Sequence, residues 1–181
     1  MKVFKFGGAS VSSLDRIKNV ASIISGYNSE PLVVVVSAMG KTTNALEKVV
    51  NSFYNGNKEE ALQLFDAIKT QHLQMAKQLL VTQWKNCEGK LVDFFTEVEW
   101  LLHDKPQRDY DYYYDQVVSV GELLSTTIVS FYLKETGVEN EWTDVRDIIR
   151  TDDNFRDANI DWKFTEAKVQ DTIISLFQKT N

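Results

Sequence analysis

Charged and apolar residues interleave over Lys2 to Phe6 as in a short strand, and Gly7-Gly8 then ends any regular element. Leu14, Ile17, Val20, Ala21 and Ile24 recur at helical spacing; Ser12 or Ser13 can cap that helix, and Asp15 sits in its first turn. After Pro31, the five residues Leu32-Val33-Val34-Val35-Val36 are too few for a helix and apolar on both faces, which suits a buried parallel strand. Strand, helix and strand over residues 2 to 37 predict a right-handed crossover, with Gly7-Gly8 and Ser37-Ala38 together at the carboxyl ends of neighbouring strands. Open α/β sheets bind ligands at such an edge.

Helical periods dominate the rest. Thr42 or Thr43 can cap a helix with Leu46, Val49, Val50 and Phe53 on one face, ending near Asn55-Gly56. Ala61, Leu64, Phe65, Ile68, His72, Met75, Ala76 and Leu79 mark a second helix, and Leu91, Phe94, Phe95, Val98, Leu101 and Leu102 a third before Pro106. A fourth carries Val117, Leu124, Ile128, Phe131 and Tyr132 and stops at Gly137. Residues 141–145 are expected to form a third strand. A loop rich in Asp, Asn and Arg leads to a last helix with Val169, Ile173, Leu176 and Phe177 on one face. Three strands make a small sheet for this length, and a βα pattern ending in an amphipathic helix predicts one more strand. The expectation is therefore that residues 1–181 are part of a larger domain.

Composition narrows the class. At 43% hydrophobic and 25% charged residues, the chain is ordinary for a globular domain, and a net charge of −6 without a basic patch argues against nucleic acid as a partner. The single cysteine, Cys87, excludes an internal disulfide framework, and the longest apolar run, Leu32 to Val36, is far too short to cross a bilayer. Cytoplasmic residence, with no membrane partner, is expected.

The chemistry concentrates at Lys5-Phe6-Gly7-Gly8-Ala9-Ser10. Glycines at a strand-to-helix turn let backbone N–H groups approach a ligand, the helix end favours an anion, and Lys5 adds a full charge beside it. Neither the dinucleotide G-x-G-x-x-G nor the G-x-x-x-x-G-K-[ST] phosphate loop is present. His72 falls on an apolar stripe and His103 near a helix end, so both read as structural, and Cys87 as an incidental thiol. The acidic loop Asp152-Asp153-Asn154 with Asp157 and Asp161 lacks the glycine and final glutamate of a calcium loop; such residues fix turns, and no metal site is expected. Tyr112 to Tyr114 read as packing at a helix entrance, and Trp84, Trp100, Trp142 and Trp162 as buried or partly buried.

Lys5 to Ser10, Val36-Ser37-Ala38 with Thr43-Asn44, Val120-Gly121-Glu122-Leu123, and Asp144-Val145-Arg146 with Arg150-Thr151 together resemble the aspartate kinases of the amino-acid kinase superfamily. The resemblance runs from Lys5 to Asp161. It implies an α/β fold, a three-layer α/β/α sandwich with a mostly parallel sheet, helix-rich and here incomplete. Residues 1–181 would be the N-terminal portion of the catalytic domain, without its nucleotide-binding second half or the ACT regulatory domains. The implied reaction is ATP-dependent phosphorylation of the L-aspartate side chain, with Mg²⁺ carried as MgATP, opening lysine, threonine and methionine biosynthesis. It also implies a homo-oligomeric parent protein.

By the same resemblance, Lys5 matches the phosphate-binding lysine and Gly7, Gly8 and Ser10 line the nucleotide phosphates. Ser37 faces substrate, Thr43 and Glu122 are substrate contacts, Glu122 taking the α-ammonium, and Asp161 orients the lysine. The chain departs from the family in two places. Ala9 stands where threonine is usual, and Asp157 where an arginine pairs with the substrate carboxylate; Arg156, one residue away, is assigned that role because a guanidinium suits a carboxylate. Two other readings remain: a noncatalytic fragment or interaction module without turnover, and a superfamily member acting on glutamate, acetylglutamate or a nucleotide. Thr43-Asn44 with Val120-Gly121-Glu122 favours aspartate.

Overall fold

A computed structural model describes residues 1–27 and 29–179. The chain divides into two compact units, Met1–Glu141 and Trp142–Asn181, at a point with no Pro-, Gly- or Ser-rich linker.

In the first unit, β1 (Lys2–Phe6) and β2 (Leu32–Val36) pair in parallel, in register from Lys2 opposite Leu32 to Phe6 opposite Val36. Side chains alternate across a strand, so Phe4, Phe6, Val34 and Val36 share one face and Val3, Lys5, Val33 and Val35 the other. Val36 is buried, whereas Val3 and Val35 are 61% and 46% exposed. That second face is the more exposed one, and the helix-rich unit shows a two-stranded parallel sheet rather than a three-layer sandwich as such. α1 (Leu14–Ser25) joins the strands and buries Ile17, Val20, Ala21 and Ile24. Ser13 is its cap, its hydroxyl accepting the Arg16 N–H.

Five helices build the rest of this unit: α2 (Thr42–Tyr54), α3 (Lys58–Leu79), α4 (Trp84–His103), α5 (Tyr110–Val118) and α6 (Val120–Glu135). Their periodic apolar positions lie in the core, with Leu46, Phe65, Phe94, Leu91, Leu102, Leu124 and Ile128 fully enclosed. Phe65 meets Phe95 edge to face at 6.1 Å, and Lys69 pairs with Glu99 at 2.6 Å. Burying one such ring contributes about 1.5–3 kcal/mol and a partly exposed ion pair about 0.2–1, so the apolar stripe holds α3 to α4. The carboxylate of Glu135, at the end of α6, accepts the N–H groups of Thr82 (3.1 Å) and Gln83 (2.9 Å) and caps the entry to α4. Those hydrogen bonds hold it below the usual carboxylate range.

Helix α6 is apolar nearly all round, because it packs on α1, α3, α4, α5 and β2 at once. Residues 110–135 are long and apolar enough to cross a membrane by length and composition, but 67% of the window is buried within the protein, the position of a core helix. The expected fourth helix is two, α5 and α6, separated at Ser119. The tyrosine run is internal packing: Tyr113 sits edge to face on Phe53 at 5.2 Å, and the Tyr110 hydroxyl donates to Asn51 at 2.8 Å.

Four expectations need correction. Residues 141–144 form no strand; the Asp144 carboxylate accepts the Arg146 N–H at 2.9 Å and turns the chain into a short 3-10 segment, Val145–Asp147. Lys41, not Thr42 or Thr43, occupies the capping position of α2, while Thr42 lies inside the first turn and donates to the Met39 carbonyl at 2.6 Å. Trp100 and Trp162 are exposed, by 73% and 63%, because each lies off its helix's inward stripe. The last helical stretch is α7 (Trp162–Lys168), a wider π-type segment (Val169–Ile174) and α8 (Ser175–Lys179), so Ile173, Leu176 and Phe177 are only half-buried.

His72 is 1% exposed; its Nδ1 meets the Ile68 carbonyl at 2.8 Å, and its Nε2 has no hydrogen-bond partner among the described residues. Burial pushes its pKa below the ordinary 6.5. The folded state therefore resists protonation and the unfolded chain does not, so this contribution to stability is complete above about pH 6.5 and is lost as pH falls toward the depressed folded value. Urea unfolding from pH 8 to 5 should show stability falling faster in the natural chain than in His72→Phe; parallel curves contradict the assignment.

Candidate functional site

The carboxyl ends of β1 and β2 meet as the strand order predicts. The Ser37 N–H continues the ladder to the Phe6 carbonyl at 3.0 Å, and the Gly40 N–H donates to the Gly8 carbonyl at 3.0 Å, so the two exit turns are hydrogen-bonded to each other. Two glycines are forced by this geometry. A Cβ on Gly8 would lie 2.5 Å from the Ala38 carbonyl oxygen, inside any real contact distance, and Gly40 has φ +56°. Gly7 differs: its backbone is extended (φ −74°, ψ 168°) and a Cβ there would meet nothing within 4 Å. Packing does not require a glycine at that position, which leaves open space beside the turn.

The start of α6 closes the rim. Gly121 lets it come close, since a Cβ there would be 3.0 Å from that of Ala38 and 3.2 Å from Leu46 Cδ1. Glu122 then accepts the Ala38 N–H at 3.2 Å through Oε1, and Ser125 donates to the Ser37 carbonyl at 2.7 Å. These two groups belong to the same peptide unit, whose N–H and C=O point in opposite directions, so α6 grips one peptide from both sides. Oε2 of Glu122 takes no hydrogen bond from the described residues.

Of the residues singled out in the sequence, Lys5 lies near the end of β1, and Gly7, Gly8, Ser10, Ser37, Thr43 and Glu122 lie on these turns or the first turns of α2 and α6. Lys5 is exposed on the open sheet face; Ser37 and Glu122 are half-buried. The Ser10 N–H is engaged, donating to the Gly7 carbonyl at 2.8 Å in the 3-10 turn Gly8–Val11. Ser125 has no place in the sequence reading, although it is fully buried at the centre of this arrangement. In the sequence it is one of four Ser or Thr residues on this helix, with Thr126, Thr127 and Ser130, and its place one turn beyond Glu122 is the signal that sets it apart.

Asp161 and Arg156 belong to the second unit and are described within it. Asp161 caps α7, its Oδ1 accepting the Phe164 N–H at 3.0 Å, and its own N–H donates to the Arg150 carbonyl at 2.9 Å. Thr151 bridges to Ile160 in antiparallel fashion, and the acidic loop between them folds on itself: Asp152 accepts the N–H groups of Asn154 and Asn159 and the Asn159 side-chain amide. Those hydrogen bonds, Asn159 foremost, keep the Asp152 carboxyl below its ordinary range. Arg156 sits at φ 65°, the left-handed region that an L residue adopts at a cost of roughly 1–2 kcal/mol. Among the described residues no group of three or more His, Cys, Asp or Glu is placed to hold a metal ion, and burial pushes the Cys87 thiol up to about 12.

The chain is 35% identical over 187 residues to aspartokinase 2, chloroplastic, of Arabidopsis thaliana, covering 99% of this chain and 33% of that protein. It is 30% identical over 160 residues to the lysine-sensitive aspartokinase 3 of Escherichia coli, covering 88% of this chain and 34% of that one. This chain thus spans about a third of the length of each of these two relatives. Among solved structures, E. coli aspartokinase III in complex with lysine and aspartate superposes with a TM-score of 0.84 at 25% identity, over 99% of this chain and 39% of that one. The same enzyme in complex with aspartate and ADP gives 0.82 over the same coverage. The pattern of the amino acid kinase family matches residues 1–176, and the chain belongs to that family.

Proposed function

We propose that this chain supplies the substrate side of an aspartate kinase, which transfers the γ-phosphoryl group of MgATP to the side-chain carboxylate of L-aspartate, giving 4-phospho-L-aspartate. The observation that carries this reading is the joined rim, where a glycine turn with open space at Gly7, the cation Lys5 and the carboxylate of Glu122 stand on adjoining strand exits and one helix start. The structural likeness to an aspartokinase whose complex holds aspartate and ADP supports the same substrates here. Cytoplasmic residence remains part of the proposal, although several plant relatives are named chloroplastic.

The residues fit phosphate and an amino acid. Gly7 and Gly8 open the turn to phosphate oxygens, Ser10 borders it, and Lys5 brings positive charge; magnesium enters bound to ATP. On the amino-acid side, Glu122 has Oε2 for the α-ammonium while Oε1 stays on Ala38, and Ser37 and Thr43 supply hydroxyls. The acceptor is a carboxylate, with a pKa of about 4, already ionised at neutral pH, so no general base is needed. Catalysis then reduces to positioning and to neutralising charge on the equatorial oxygens of the transferring group.

Three sets of measurements test this. Incubated with MgATP, aspartate and hydroxylamine, the 181-residue chain alone should give no acyl hydroxamate above background; clear turnover contradicts the assignment of these residues to one side of the site. In the whole protein, Lys5→Ala should lower kcat by about 10²-fold or more. Glu122→Gln keeps an acceptor for Ala38 but loses the charge, and should raise the aspartate KM roughly tenfold with kcat nearly intact. An unchanged aspartate KM rejects the role of Glu122.

The two glycines should separate fold from binding. Gly8→Ala should cost about 1–3 kcal/mol in chemical denaturation, because the backbone of Ala38 must move. Gly7→Ala should leave stability within about 0.5 kcal/mol and weaken MgATP binding. Equal effects of the two substitutions on stability contradict the geometry of the turn.

A further inference from the structure

We propose that Ser125 is a positioning residue for substrate recognition, acting by aiming the side chain of Ser37; the inference rests on the aspartate kinase reading above. Ser125 is completely buried, and its Oγ lies 2.7 Å from the Ser37 carbonyl and 3.1 Å from the Glu122 carbonyl one turn back. A hydroxyl has one hydrogen to donate. A serine inside a helix commonly gives it to its own preceding turn, whereas here the shorter contact leaves the helix for the exit of β2.

The consequence is local and geometric. The peptide unit before Ser37 is tied to β1 by the Ser37 N–H at 3.0 Å from the Phe6 carbonyl. The peptide unit after it is held by α6 at both groups, Ser125 on the carbonyl and Glu122 on the Ala38 N–H. With the planes on either side of its Cα fixed, the Cα–Cβ direction of Ser37 is fixed as well. The hydrogen bonds of Ser37 with the described residues are made by its backbone and not by its hydroxyl. Alanine at position 125 would be the better helix former, by about 0.5 kcal/mol, so packing and helix propensity alone give no reason for a serine.

Glu122 and Ser125 thereby connect two halves of one recognition event. Glu122 offers its second oxygen to the substrate ammonium while its first holds Ala38, so a ligand that pulls on Glu122 acts on the peptide that Ser125 also holds. The hydroxyl of Ser37 and the carboxylate of Glu122 are kept in register by that shared peptide.

Calorimetric titration of the chain with L-aspartate, and separately with MgATP, tests this in Ser125→Ala, the volume-conserving Ser125→Cys, Ser37→Ala and the double variant Ser37→Ala/Ser125→Ala. The expected result is aspartate binding weakened about five- to tenfold by either change at 125, as for loss of one hydrogen bond. MgATP affinity should be unchanged, and the double variant no weaker than Ser37→Ala alone. Fully additive losses, or aspartate affinity unaltered in both variants at 125, overturn the positioning role and leave the kinase reading intact. Absence of aspartate binding by the natural chain removes that reading and this inference with it. Unfolding of both variants at 125 makes Ser125 a core residue only, and also overturns the proposal.

Discussion

The peptide unit joining Ser37 to Ala38 is where strand, helix and site meet. Its carbonyl takes the Ser125 hydroxyl and its N–H takes the Glu122 carboxylate, so the first turn of α6 is clamped to the end of β2. One residue on, the Ala38 carbonyl lies so near Gly8 that no side chain fits between them, which brings the exit of β1 against the same clamp. Two hydrogen bonds of this kind contribute about 1 kcal/mol each, less than the core of α6 supplies. Their value is directional: apolar burial sets how tightly the elements pack, and these bonds set where Ser37, Gly8 and Glu122 stand relative to one another.

Much of this was legible in the sequence because local signals and tertiary demands agree there. A short mixed strand, a Ser-capped amphipathic helix and an all-apolar second strand leave one economical arrangement, and β1, α1 and β2 adopt it in register. The faces of α2, α3 and α4 follow from their spacing, and the acidic loop turns on its own Asp and Asn side chains. Failures fall where a residue type has two uses. Asp144 ends an extended stretch by capping a 3-10 turn, Thr42 spends its hydroxyl on Met39 inside the helix, and Trp100 faces outward from an inward-looking helix. The role of Ser125 is not legible locally, because its partner is a carbonyl 88 residues away at the exit of β2.

The face of the sheet that carries Lys5 adds a constraint of its own. Parallel strands are ordinarily covered on both sides, yet Val3 and Val35 stand 61% and 46% exposed on the face that carries Lys5. A three-layer sandwich, as the family resemblance implies, places helices over such a face. It would also exclude water from the neighbourhood of the lysine, and charge neutralisation of a transferring phosphoryl group is stronger in such surroundings. The chain spans 33% of the length of its chloroplastic Arabidopsis relative.

A two-part site at the joined rim, as proposed, holds nucleotide phosphate on the β1 turn and amino acid between β2 and α6. Amide NMR spectra of the chain, recorded with MgATP and then with L-aspartate added, distinguish the two parts. MgATP should shift Gly7, Gly8 and Ser10, and aspartate should then shift Ala38, Thr43 and Glu122. Shifts confined to α3 and α4, or none at saturating ligand, would contradict the two-part site.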